Sequence, residues 1–185
     1  MFSIVGKTCY HRALEEHHVK ASIEKDESMR FILLDRVLEL ESGKNITAVK
    51  AVSLAEEYLA DHFPAFPVLP GVMMLEALVQ TAATLVRVTN NFEQSMVILH
   101  EAKNVKYKSF VKPGNLLTLK IEAKSIYNDS STFKASAFVD ERPMIEARLK
   151  LKHYNLADKD STLAKNDIQI IDAMKNNARL VGAIT

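Results

Sequence analysis

The chain has 185 residues, 48% apolar and 25% charged, with only 5 Gly and 5 Pro; this suits one folded domain with a substantial core and excludes disordered and fibrous classes. Its 24 basic and 23 acidic residues nearly cancel, so no overall field directs it to nucleic acid or to an anionic membrane. The single cysteine, Cys9, has no partner for an intrachain disulfide, and a cytoplasmic setting is expected.

Residues 1–29 read as an accessory lead-in. MFSIVGK is too short an apolar run for a signal-peptide core. YHRALEEHHVKASIEK places Leu14, Val19 and Ile23 on one side of a short helix, and its histidines His11, His17 and His18 lack the spacing of a metal site, so no metal is expected. From Phe31, FILLDRVLEL and ITAVKAVSL are β-type runs joined at Ser42-Gly43, which predicts a hairpin. Pro64, Pro67 and Pro70 make Leu54 to Pro70 an ordered loop without helix. Pro70 suits the first position of a helix over 71–88, whose longest apolar stretch carries Glu76 and Gln80 and falls short of the roughly 20 uncharged residues a membrane span needs. A helix apolar on nearly every side has to be surrounded by protein.

The surrounding material follows in SMVILHEAKNVKYKSF, LLTLKIEAKSIY, TFKASAFVD and MIEARLKLKHY, each alternating at period two and separated by turn residues at 112–115, 128–130 and 140–143. The expected class is α+β: an antiparallel sheet wrapped around the helix, in a single domain whose core spans about 30–154. Residues 155–185 form a C-terminal extension, with Ile168, Ile171, Met174 and Ala178 at helical spacing over about 167–179, able to dock on the sheet or on a neighbouring subunit.

DHFPAFPVLPGVMMLEALVQ places His62 in a proline-braced loop and Glu76 about one and a half turns into the apolar helix. Taken singly, such a histidine reads as a satisfied loop residue and such a glutamate as a solvent-facing one. Together they supply a neutral imidazole to take an α-proton and a protonated carboxyl to meet a departing hydroxyl, which is what loss of water from a β-hydroxyacyl thioester requires. Apolar neighbours should favour the neutral carboxyl of Glu76. The Gly71 N–H, uncapped at the helix start, is suited to a carbonyl oxygen on which charge develops, and Gln80 lies four residues from Glu76, on the side where it can orient it.

The stretch from His62 to Gln80 resembles the signature of the 3-hydroxyacyl-[acyl carrier protein] dehydratases of type II fatty-acid synthesis, and the similarity extends from FILLDRVLELESGKNITAVKAVS to YKSFVKPGNLLTLKIE. The resemblance implies a hotdog fold, and His62 and Glu76 as the catalytic pair. It also implies the Gly71 amide as carbonyl donor, and a homo-oligomer, either a dimer or a trimer of dimers, in which each active site joins His62 of one chain to Glu76 of the other. Glu76, where a dehydrating and isomerising branch has Asp, points to the simple dehydratase. The substrate would arrive on the phosphopantetheine of acyl carrier protein, with no other cofactor, and Phe63, Phe66, Leu69, Val72 and Met73 would line an apolar tunnel.

The chain departs from the family at Asp61 and Ala65, where glycines are usual, and at Tyr107 to Asn115. The Asp61 charge should raise the pKa of His62. Lys103, Lys106, Lys108 and Lys112 form a basic run that fits either an acidic carrier protein or a solvated strand edge. Two other functions stay open at this point: a hotdog acyl thioesterase, and a catalytically weak acyl-binding subunit of a hetero-oligomer.

Overall fold

A computed structural model describes residues 32–185, except Pro64 and the side chains of Ala60 and Asp61. The expected lead-in helix, Cys9 and the three histidines before residue 20 lie outside the described residues. Ile32–Thr185 form one compact unit.

Strands β1 (Arg36–Glu41) and β2 (Asn45–Ala51) form the predicted hairpin. Its turn needs a left-handed residue, and Gly43 supplies it at φ +75 while donating its N–H to Thr89 Oγ1 at 2.9 Å. The first strand starts later than the apolar run suggests. Leu33 and Leu34 enter the core as an extended lead-in, where the Leu33 N–H is taken by a side chain rather than by a neighbouring strand.

The predicted loop from 54 to 70 contains one short helix, α1 (Tyr58–Asp61), which corrects the expectation of no helix there. The prolines act only from Pro64 onward, so nothing forbids a turn of helix before them, and α1 turns Leu59 into the core. Helix α2 (Gly71–Thr89) follows as predicted. Then come β3 (Met96–Tyr107), β4 (Leu116–Ile126), β5 (Ser130–Val139) and β6 (Arg142–Tyr154). Pro143, expected in a turn, lies in the first residues of β6, where a lost ladder N–H is tolerated.

All pairings are antiparallel, in the order β1-β2-β4-β5-β6-β3, which leaves β3 as an edge. Alternation decides the faces: in β6, Ala147, Leu149, Leu151 and His153 point inward while Arg148, Lys150 and Lys152 meet water. The inner face packs on Met74, Ala77, Leu78, Ala82, Leu85 and Val86 of α2. By length and composition α2 would suffice to cross a membrane, yet here it is the core helix of the sheet. The architecture is an α+β hotdog. Val72, in the first turn of α2, stands out from this cover at 70% exposed.

After β6 two 3-10 turns, Leu156–Asp158 and Ser161–Leu163, lead into α3 (Ala164–Leu180). This extension docks on its own sheet. The buried Asp167 carboxylate accepts from the Ser95 hydroxyl and from the N–H groups of Leu156 and Ala157 (2.8 and 2.9 Å). Val181 enters the core and its carbonyl accepts the Val37 N–H of β1 at 2.8 Å. Ile168, expected on the docking side, is exposed instead; its neighbour Asp167 makes the anchor.

His153 on β6 is buried, with Nε2 2.8 Å from Ser131 Oγ. Burial pushes its pKa below the ordinary histidine value, aided by the Arg87 charge and opposed by Asp129 and the backbone of Asn128 and Tyr127. A depressed histidine binds its proton more readily in the unfolded chain, so it contributes stability that is lost as pH falls below the ordinary value of about 6.5. The urea midpoint should therefore drop between pH 7 and pH 5 by more in the wild-type protein than in His153→Gln.

Candidate active site

The loop after α1 is closed by its own backbone. His62 accepts the Val68 N–H on its carbonyl at 3.1 Å, and its ring Nδ1 lies 3.1 Å from the Val68 carbonyl. A carbonyl oxygen only accepts, so Nδ1 carries the proton and Nε2 keeps its lone pair. The tautomer is thereby set for a base acting through Nε2. Phe66 donates to the Phe63 carbonyl at 2.9 Å, and Leu69 donates to Val111 at 2.8 Å, tying the loop to the segment after β3. The His62–Phe63 peptide is cis, and the Phe63 ring centroid lies 4.4 Å from the imidazole.

Glu76 sits half-buried on α2, flanked by the buried Ala77 and Val79. Gln80 Nε2 donates to Glu76 Oε1 at 3.0 Å, and Gln80 Oε1 accepts the Leu33 N–H at 2.9 Å. The Leu33 donor leaves Gln80 only one way round, with its amide hydrogens toward the carboxyl. Glu76 Oε1 is thereby held as an acceptor, and Oε2 is the carboxyl oxygen that Gln80 leaves open. Gln80 was expected to orient Glu76; Leu33, which orients Gln80, was not, since a backbone N–H leaves no mark in a sequence.

Gly71 opens α2, where first-turn N–H groups have no acceptor within the helix. A Cβ placed on it would lie 3.0 Å from Tyr107 Cε1, so the missing side chain lets this half-exposed ring rest against the helix start. Tyr107 was noted in the sequence only as a departure from the family pattern; an aromatic ending an alternating strand was the available signal.

Among the described residues no hydrogen bond joins His62 to Glu76 within one chain. The apolar residues expected around a tunnel divide three ways: Phe63, Phe66 and Val72 are exposed, Met73 packs partly against the core, and Leu69 lies within it. The side chain of Asp61, expected to act on His62, lies outside the described residues. Beside the histidine loop runs a groove of about 870 Å³ lined by Phe66, Phe110, Lys112 and Arg142 among others. Phe66 and Phe110 meet edge to face at 6.1 Å, and the Lys112 ammonium stands 5.0 Å over Phe66. Of the basic run, Lys103 pairs with Glu101 at 3.1 Å and Lys108 with Glu146 at 3.3 Å.

Residues 26–148 match the model of the FabA-like domain. The chain is 35% identical over 122 residues to a 3-hydroxyacyl-[acyl-carrier-protein] dehydratase FabZ of Wolbachia pipientis wMel, an alignment covering 66% of this chain and 85% of that protein. It is 42% identical over 122 residues to the FabZ of Albidiferax ferrireducens (64% of this chain, 81% of the relative). Among solved structures, the dehydratase heterocomplex ApeI:P from Xenorhabdus doucetiae shares the fold with a TM-score of 0.58 at 15% identity, covering 72% of this chain and 90% of that one. The smu.793 protein of Streptococcus mutans, bound to acetyl CoA, does so with a TM-score of 0.53 at 12% identity, covering 71% and 97%.

Replacing Gln80 by Leu keeps the helix and roughly the volume but removes both the orienting amide and the acceptor of the buried Leu33 N–H. Urea unfolding of Gln80→Leu should show a loss of about 1–3 kcal/mol, the usual result of leaving a buried donor without its acceptor.

Proposed function

Because the chain belongs to the FabA-like family, we propose that its dehydration chemistry runs on His62 as base and Glu76 as acid. The chain is a 3-hydroxyacyl-[acyl carrier protein] dehydratase of fatty-acid biosynthesis. His62 Nε2 takes the α-proton of the (3R)-hydroxyacyl thioester, and the electron pair moves toward the thioester carbonyl, whose oxygen accepts from the Gly71 N–H. Glu76 Oε2 gives its proton to the β-hydroxyl as the C–O bond breaks. Water and a trans-2-enoyl thioester leave. The resulting imidazolium and carboxylate return to their starting forms by proton exchange with solvent. The proton and electron count closes on two side chains, so the proposal includes no metal and no cofactor beyond the carrier's phosphopantetheine.

The observation that carries this reading is the paired orientation of the two groups: the Val68 carbonyl lies against Nδ1 of the imidazole and leaves Nε2 to the substrate, and Gln80 donates to Oε1 of the Glu76 carboxyl and leaves Oε2 to it. A homo-oligomer with shared sites is part of the proposal. That no hydrogen bond joins His62 to Glu76 among the described residues of one chain, the exposed Phe63 and Val72, and the edge position of β3 support it. Phe63, Phe66, Val72 and Met73 would then face acyl carbons at the subunit boundary. The basic run and Lys112, beside the groove, fit an acidic carrier protein, and a cytoplasmic setting completes the reading.

Turnover of hydroxyacyl carrier protein, read as loss of water by mass spectrometry, should fall by about 100-fold or more in both His62→Ala and Glu76→Gln, the usual weight of a general acid or base. Wild-type turnover in both would refute the assignment, and release of free thiol would point to a thioesterase. Co-expression of the two inactive variants tests the shared site. Mixed dimers then hold one intact pair each, and activity should return well above that of either variant alone.

A further inference from the structure

One charged cluster lies outside the groups assigned so far. Lys50 of β2 is 5% exposed, and its Nζ lies 3.2 Å from Asp35 Oδ1 and 2.7 Å from Glu56 Oε1. A buried ammonium is tolerated only with such partners. Burial opposes its charge, and the contacts with Glu56 and Asp35 outweigh that and raise its pKa. Asp35 belongs to the sheet frame: its Oδ2 accepts the Ala51 N–H at 2.7 Å and its own N–H donates to the Val49 carbonyl at 2.9 Å.

Glu56 belongs to the segment that carries His62. Its carbonyl accepts the Leu59 N–H at 3.0 Å, and α1 runs from Tyr58 directly into His62 as its cap residue. The other hydrogen bonds of residues 53–61, from Ala55 and Glu56 to Ser53 and from Leu59 to Glu56, are local. Among the described residues, the Lys50–Glu56 contact is therefore the hydrogen bond that fastens this stretch to the sheet. A single helical turn has no stability of its own, so the placement of α1 depends on its anchors. Three are visible: Leu59, buried in the core, Tyr58, packed partly against it, and Glu56 on Lys50. Apolar packing at Leu59 and Tyr58 holds α1 against the core without fixing a polar distance to the sheet; the ion pair to the Lys50 ammonium fixes one.

We propose that the Asp35–Lys50–Glu56 cluster is a positioning device for His62, with Lys50 holding the foot of α1 and α1 setting where the imidazole is presented. The inference rests on His62 being the base. The Val68 clamp sets the tautomer of the ring but moves with the loop, whereas the Lys50 anchor places the loop relative to the sheet that carries α2 and Gly71. Proton transfer falls steeply with misplacement, while apolar contacts to an acyl chain do not. Losing the anchor should therefore act on kcat and spare KM.

The test uses the full-length protein, with Glu56→Ala, Glu56→Gln and, as control, His62→Ala. Glu56→Ala should lower kcat for water loss by about 10- to 100-fold, the scale of an ångström-sized misplacement, with KM within about threefold. Thermal unfolding should show it folded at the assay temperature. Glu56→Gln, which keeps an oxygen for the Lys50 ammonium, should recover most of kcat. If the alanine variant does not fold, Glu56→Asp, which keeps the charge and shortens the reach, carries the same comparison. A folded variant with wild-type kcat overturns the proposal, as does a kcat loss that disappears once rates are corrected for the folded fraction. Wild-type turnover in His62→Ala would overturn the assignment of the base instead, so the two failures are distinguishable.

Discussion

The structure depends on covering α2. A helix of 19 residues that is apolar on most sides is stable in water only when other protein takes up its surface, and six antiparallel strands do so here. That burial limits which polar groups the helix can carry. Its threonines satisfy themselves: Thr81 donates to the Ala77 carbonyl at 2.7 Å, Thr84 to Gln80 at 2.9 Å and Thr89 to Leu85 at 2.7 Å. Gln80 is different, because it reaches out of the helix to the Leu33 backbone and along it to Glu76. The fold and the candidate acid are linked through that one amide, which reads the position of the strand lead-in and passes it to a carboxyl.

The two candidate groups, His62 and Glu76, are held by different means. Glu76 rides on a regular element, so its backbone position follows from helix geometry and only its carboxyl plane needs setting. His62 rides on a loop, where backbone position is not given by a repeating pattern and has to be built. The reciprocal bonds between His62 and Val68 close it locally, the Leu69–Val111 bond ties it to the segment after β3, and the Lys50 cluster relates it to the sheet.

Much of this was legible in the residues. Period-two alternation located all four late strands, and the proline run followed by helix formers located α2 to within one residue. His62, Glu76 and Gln80 stood out because chemistry-bearing side chains were placed in apolar or rigid surroundings. What the sequence hid was backbone partners: the Leu33 N–H and the Val68 carbonyl carry no side-chain signature, yet they set the amide and the tautomer. Ion pairs across segments were hidden for a related reason. Lys50 sits in an ordinary alternating strand, and nothing in ITAVKAVSL distinguishes a solvated lysine from one folded under two carboxylates. Ile168 failed in the opposite direction, since helical spacing shows which residues share a side but not that Asp167 beside them would make the anchor.

The meeting of Gly71 and Tyr107 adds a last physical step. First-turn N–H groups of a helix are strong donors, and in open water they are hydrated, so a carbonyl oxygen arriving there exchanges one partner for another with little gain. An aromatic ring 3.0 Å from the position a Cβ would occupy covers part of the helix start without offering a competing acceptor there. In drier surroundings the same N–H interacts more strongly with an oxygen on which negative charge is growing than with a neutral carbonyl. A glycine at this position therefore does two things at once. It keeps a side chain away from the helix start, and it admits the Tyr107 ring beside it.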